Sequence, residues 1–288
     1  MKMNLEEITI QKINKTNLET LIGWASKEGW NPGKYDLDVF WNTDPEGFYG
    51  CFKNDELIAG GAIISYGGEF GFMGLFIVHS QYRNHGLGNK LWHVRKNLLL
   101  SRLKENASIG MDGILAMQPY YQKGGFNIAF RDERFELLGK AYSFSDHVST
   151  IESEDFIEIL KYDKMHFGFQ RTPFLNQWLT MPESKAIKYK HNNEIKGYAV
   201  IRPAEKGYRI GPLFAQDDST AEELLKCCLS FATEDSVFLD IPTINENAMN
   251  LVKKYDGKYI FECARMYHGE APELPINHIY GITSFELG

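Results

Sequence analysis

The chain has 288 residues, 43% of them apolar and 14% aromatic, ample material for one large or two ordinary packed domains. Its formal net charge is −7, which argues against bulk attraction to nucleic acid or to an anionic membrane surface. Residues 1–150 carry 16 basic and 17 acidic side chains and residues 151–288 carry 15 and 21, so the acidity lies in the second half, where it would favour a cationic ligand.

Cys51, Cys227, Cys228 and Cys263 form no C-x-x-C pair, and no histidine stands at metal-ligand spacing to them. Reduced, mostly buried thiols are expected, with no disulfide framework and no metal. The opening MKMNLEEITIQKINKTNLE is polar and acidic, unlike a signal peptide, and no apolar run approaches the roughly 20 residues that span a bilayer. A cytoplasmic protein is the expectation.

Residues 8–13 alternate and predict a strand. Thr16-x-x-Glu19 reads as a capping box, so a helix should follow. After the Gly/Pro cluster GWNPGKYD comes a short helical DVFWN, and 48–66 read as two strands about a KNDE turn. The unbroken apolar run 69–78 predicts a strand buried on both faces. Leu87, Leu91, Val94 and Leu98 then set a helical period. Residues 109–117 return to strand, PYYQKGGF turns through a short helix, and NIAFRDERFEL is a final strand.

The second half repeats this order: helices at DFIEILKYDKMH and RTPFLNQWL, a hairpin about HNNE, a strand GYRIGPLF, a helix STAEELLKCCLSFA, a strand VFLDI, a helix ENAMNLVKKY and a strand YIFECARMY. The expected architecture is therefore α/β (α+β), two tandem mixed-sheet domains with helices on both faces, 1–140 and 141–288, divided near Gly139–Val148.

Arg83-Asn84-His85-Gly86-Leu87-Gly88 links the buried strand to the long helix. It lacks the Walker pattern, and the third glycine of a dinucleotide fingerprint is missing. It does match R-x-x-G-x-G. A helix N-terminus offers unpaired N–H groups and a positive dipole end, glycines let backbone approach phosphate, and Arg83 adds a charge-assisted fork. A pyrophosphate is the anion this turn suits. His79 and His85, which flank it, read as exposed.

On FGFMGLFIVHSQYRNHGLG and YYQKGGF the first half resembles the GNAT superfamily of acetyl-CoA-dependent N-acetyltransferases, over residues 4–135. EGWNPGKYDLDVFWNTDPEGF, IGMDGILA and IYGITSFELG further resemble a bacterial YitH-like group, in which a GNAT domain precedes a degenerate one. The resemblance implies that the pantetheine arm of acetyl-CoA pairs along Leu75, Phe76, Ile77 and Val78. The thioester would end near Gly74–Phe76. The pyrophosphate would take N–H groups of Asn84, His85, Gly86, Leu87, Gly88 and Asn89, with Arg83 beside it.

Tyr121, four before Gly125, stands where the family keeps its general acid, while Tyr120 is expected to pack. The family's mid-strand glutamate is missing from FMGLFIV, leaving Glu69 and Asp112 as candidate bases, or bulk water. Trp30 and Asn31, with Pro32, should border the acceptor. The second half has Asp217 and Asp218 in place of the turn and Lys253 in place of Tyr121, so it is not expected to bind acetyl-CoA. There Asp163, His166, Arg171, Arg202, Asp240 and Arg265 are candidate acceptor groups or plain ion pairs, Asp240 first because strand C-terminal ends face ligands.

The implied reaction transfers an acetyl group to a primary amine of a small molecule by direct attack on the thioester. The alternatives are a protein lysine or N-terminal acetyltransferase and, without catalysis, an acyl-CoA sensor or structural relic.

Overall fold

The computed structural model describes residues 5–288, and for Leu5 the backbone only. The first half runs β1 (Thr9–Lys12), α1 (Lys15–Lys27), α2 (Asp36–Thr43), β2 (Phe48–Lys53), β3 (Glu56–Tyr66), β4 (Phe70–Val78), α3 (Leu87–Ser101), β5 (Ser108–Ile114), α4 (Gln118–Lys123) and β6 (Asn127–Leu138). This is the order read from the sequence. One detail differs: α1 is capped by Asn14, whose side chain accepts from Asn17 N at 2.9 Å, so Thr16 and Glu19 lie inside the helix rather than forming its cap. Leu18, Leu21 and Ala25 then recur on the face of α1 that is buried.

The second half runs β7 (Val148–Thr150), α5 (Phe156–Phe167), α6 (Thr172–Trp178), β8 (Lys185–His191), β9 (Glu194–Pro203), β10 (Tyr208–Ala215), α7 (Asp218–Phe231), β11 (Ser236–Pro242), α8 (Glu246–Lys254), β12 (Lys258–His268) and β13 (Ile279–Gly281). The two strands not foreseen, β7 and β13, are three residues each, too short to carry a period.

The strands join into one sheet in the order β1-β2-β3-β4-β5-β12-β6-β11-β10-β9-β8-β7, with β13 on β10. Two tandem units of the same plan are present, with β4/β5 and β10/β11 as their parallel pairs. They trade their last strands: β12 of the second half lies between β5 and β6, and β6 pairs with β11 along Asp132–Leu138. Each half therefore completes the other's sheet. Helices flank both faces, and among the described residues no helix is long and apolar enough to cross a membrane. All four cysteines are buried and free.

Candidate functional site

The glycine turn comes first. β4 ends at Val78, Asn84 and Gly86 take φ of +65° and +81°, and α3 starts at Leu87 without a side-chain cap. Gly86 thus needs its missing Cβ for backbone geometry. Gly88 does not: a Cβ there would come no closer than 3.4 Å to Val78. The ladder of α3 begins only at Lys90 N to Gly86 O, 3.2 Å, leaving the first turn's N–H groups for a ligand.

A groove of about 1170 Å³ runs from this turn along Phe76, Ile77 and Val78 to Tyr120 and Tyr121. Arg83 and Asn84 line it with Gly86, Gly88 and Asn89. The expected phosphate fork of Arg83 is engaged within the protein, Nε donating to Val78 O at 2.9 Å and Nη2 to Glu28. The Leu87 side chain points inward, into a cluster with Ile58 and Leu91, so its contribution to a ligand is its N–H. His85 is exposed, while His79 is half-buried against Trp24. Tyr120 donates to Asn89 Oδ1 at 3.1 Å, joining α4 to the first turn of α3.

Further along, β4 and β5 part. Their ladder holds only from Phe70↔Ser108 to Phe72↔Gly110. Beyond it, β4 carries an irregularity against β3 between Gly60 and Ala62, where Leu75 takes φ of +47°. This is a bulge, and it turns β4 edge groups away from their partner. Arg95 of α3 braces it: fully buried, its Nη2 donates to Ala62 O and, at 2.9 Å, to Gly74 O. Burial lowers the Arg95 guanidinium to about 10.

The gap opens into a second cavity, of about 630 Å³, which shares Trp30, Phe76, Ile114 and Tyr121 with the groove. Tyr121 enters from the α3 face, 5% exposed, its ring stacked 6.2 Å from Trp92. Burial pushes its phenol up to about 12, against the pull of Arg95. Asp112 projects from the other face of β5. Both its oxygens accept from Arg265, at 2.7 and 3.0 Å, yet burial, with Glu286 and Asp240 nearby, pushes it up to about 6.

The sequence reading overlooked Glu286. Segment 282–288 crosses β4 so closely that a Cβ on Gly74 would lie 1.8 Å from Glu286 O. Glu286 lines the cavity at 4% exposure. Its Oε1 accepts from Arg209 at 3.2 Å and its Oε2 has no partner. An acid flanked by Phe285 and Leu287 in a short segment has no periodicity to give it away.

Three sequence candidates fall elsewhere. Glu69 is exposed at the far end of β4 and paired with Lys104, away from the cavity. Asn31 is a clamp between the halves, bonded through its side chain to Lys206 N at 2.8 Å and Lys206 O at 3.0 Å, while its neighbour Trp30 does line the cavity. Asp240 does not reach the cavity surface: it accepts from Arg134 at 2.6 and 2.8 Å and from Arg209 at 3.0 Å. It stands one step back: Arg209 also donates to Glu286, and Arg134 to Trp30 O at 2.8 Å. Arg134 also lies over the rings of Phe261 and Phe285, 4.7 and 5.3 Å from their centroids. Asp163–Arg171 and Arg202–Asp36 are buried pairs of the same kind.

In the second half the corresponding gap is closed. β10 and β11 pair from Tyr208↔Val237 to Ile210↔Leu239. Beyond that β13 adds to β10 at Leu213 and Phe214, and Ile282 N donates to Asp240 O at 2.9 Å. The start of α7 is capped by Asp217, which accepts from Thr220 N at 2.8 Å.

Residues 15–126 match the model of the acetyltransferase (GNAT) family, and residues 159–281 match that of an acetyltransferase (GNAT) domain. The chain is 29% identical over 267 residues to the holothin acyltransferase of Pseudoalteromonas sp. (strain SANK 73390), covering 92% of this chain and 89% of that one. It is 21% identical over 290 residues to the uncharacterised N-acetyltransferase YitH of Bacillus subtilis (strain 168), covering 96% and 97%. A solved structure of a candidate acetyltransferase from Pyrococcus horikoshii superposes with a TM-score of 0.84 at 20% identity, covering 99% of this chain and 98% of that one.

Proposed function

The chain belongs to the GNAT superfamily and is a GNAT-type acyltransferase with two tandem acetyltransferase-like halves, and from that premise we propose that its first half acetylates the primary amine of a compact small molecule. The observation that carries this reading is the continuity of groove and cavity. An uncapped helix end suited to pyrophosphate lies at one extreme, a pocket lined by Asp112 and Glu286 at the other, and Tyr121 where they meet.

Acetyl-CoA, when bound, supplies the activated thioester. The residues fit it. The parted edge at Leu75–Val78 offers backbone to a pantetheine arm, and N–H groups of Asn84 to Asn89 offer donors to a pyrophosphate. The bulge at Leu75 leaves N–H groups to stabilise negative charge on the carbonyl oxygen. Tyr121, held protonated at neutral pH, is the proton donor to the departing sulfur. The burial that raises its phenol also raises the proton affinity of a thiolate formed beside it, so the two stay matched.

Compactness of the acceptor follows from the wall. Trp30, Phe261, Phe285 and Glu286 enclose the pocket, whereas an extended polypeptide would need an open trough. The similarity to an acyltransferase named for holothin favours a small acceptor in the same sense. We assign the second half a supporting role without acetyl-CoA, because β13 pairs with β10 where a pantetheine arm would have to lie. Within the superfamily the end-to-end match to YitH favours the YitH-like group. The test is thiol release from acetyl-CoA with phenethylamine and, separately, with a lysine-containing peptide. Turnover with phenethylamine is expected; preference for the peptide would overturn the small-molecule reading.

A further inference from the structure

β4 of this chain carries no acid along its cavity-facing stretch, and Glu69 lies at the wrong end. Asp112 has both oxygens in the fork of Arg265. Among the described residues that line the cavity, Glu286 carries a carboxylate oxygen, Oε2, that is buried and unpartnered. Leaving such an oxygen without a donor is costly unless something arrives to bond it. Across the gap, Gly113 of β5 faces the Tyr121 ring, while Gly74 of β4 faces the Glu286 backbone.

We propose that Glu286 is the acceptor-site carboxylate of the transferase: it binds the substrate as its ammonium ion and takes the proton that must leave before attack. The inference rests on the amine-acetyltransferase reading above. The ammonium N–H first passes its proton to Oε2, which holds it through the attack and releases it to solvent once the products leave. The freed nitrogen lone pair then forms the C–N bond to the thioester carbon, and the C–S bond breaks. The sulfur takes the Tyr121 proton, and the phenolate recovers one from the attacking nitrogen. The products are the amide, the free thiol and one proton in solution. The second half thereby acquires a chemical reason to exist. Its β13 closes its own gap, and the chain leaving β13 delivers the carboxylate to the other.

The surroundings of Glu286 set the pH range for a test. Arg209 and Arg202, from β10 and β9, stay charged, and Asp240 from β11 is held below the usual carboxylate range by Arg134 and Arg209, which outweigh its burial. Cys263 from β12 is pushed well up by burial and remains a thiol. Asp112 titrates near about 6 and Tyr121 near about 12. Asp132 from β6 is pushed well up by burial and is common to native protein and variants, and between pH ~7 and ~9 an alkyl ammonium, titrating near about 10, is still mostly protonated.

The experiment compares native protein with Glu286→Gln, which keeps the oxygen that accepts from Arg209. The probes are phenethylamine, an ammonium at neutral pH, and aniline, already neutral there. Native kcat/KM for phenethylamine should be nearly flat from pH 7 to 9. In Glu286→Gln only the neutral amine can react, so kcat/KM should fall about 10²-fold at pH 7 and climb about tenfold per pH unit. Aniline should lose under about fivefold. Glu286→Asp should retain the flat profile. Calorimetry on the CoA-loaded protein should show phenethylammonium binding at least about tenfold weaker in Glu286→Gln, with acetyl-CoA affinity unchanged.

An unchanged profile and unchanged phenethylammonium affinity in Glu286→Gln would overturn the assignment, as would equal losses for both amines. Native protein that binds acetyl-CoA but acetylates neither amine, and binds neither, would instead overturn the function on which the assignment rests.

Discussion

Gly74→Ala tests the contact on which the proposed acceptor site depends. The added Cβ would stand 1.8 Å from Glu286 O and 2.7 Å from its carbonyl carbon, both backbone atoms. Ordinary contact needs roughly 1.5 Å more, so the segment or the strand must retreat. Neither is free to do so. Tyr66 donates to Leu287 O at 2.7 Å, Arg171 to Gly288 O at 3.0 Å, and Leu287 is fully buried in the main core. Overpacking of this kind costs about 1–3 kcal/mol, a few degrees or more in unfolding temperature for a chain of this size. Gly23→Ala is the control: it lies within α1 with nothing within 4 Å of its added Cβ, and should be neutral or stabilising by up to about 1 kcal/mol. Calorimetric unfolding reads the stability, and thiol release with phenethylamine reads the amine KM, which should rise as Glu286 is displaced. A Gly74→Ala protein with native unfolding temperature and native KM would refute the close crossing of β4 by segment 282–288.

Tyr121→Phe should lower turnover by roughly 10²–10⁴ while leaving acetyl-CoA affinity nearly unchanged by calorimetry; unaltered turnover would remove Tyr121 from the acid role. Because its phenol is pushed up to about 12, its ionisation should add no descending limb to the rate profile below pH ~11. Asp112→Asn leaves Arg265 charged and buried with its ion pair broken, so it should destabilise by about 3–5 kcal/mol in denaturant titration while the folded fraction keeps most of its turnover. A stable, inactive Asp112→Asn protein would restore Asp112 as the base.

Local signals made the fold legible. Apolar runs and helical spacing located the elements of both halves, and their recurrence exposed the tandem plan. What no local signal carries is partner choice between distant strands. β6 and β12 read as each half's own last strand, yet Glu136 of β6 lies opposite Phe238 of β11 and Met111 of β5 opposite Met266 of β12. The glycine turn was legible because glycine at 86 and 88 leaves a mark at fixed spacing. The proposed acceptor site was not, because it is assembled over long separations. Glu286 reaches Gly74 across more than 200 residues and is held by Arg209, which Asp240 holds in turn. Asp240 was singled out for lying at a strand's end, where two guanidiniums occupy its oxygens.

Calorimetric titration of the protein with acetyl-CoA tests the central claim most directly, with Gly86→Glu alongside. That variant forces a bulky acid onto a φ of +81° at the mouth of the groove. The account requires one site per chain in the native protein and loss of binding in the variant. Two sites per chain, or affinity retained by Gly86→Glu, would contradict it.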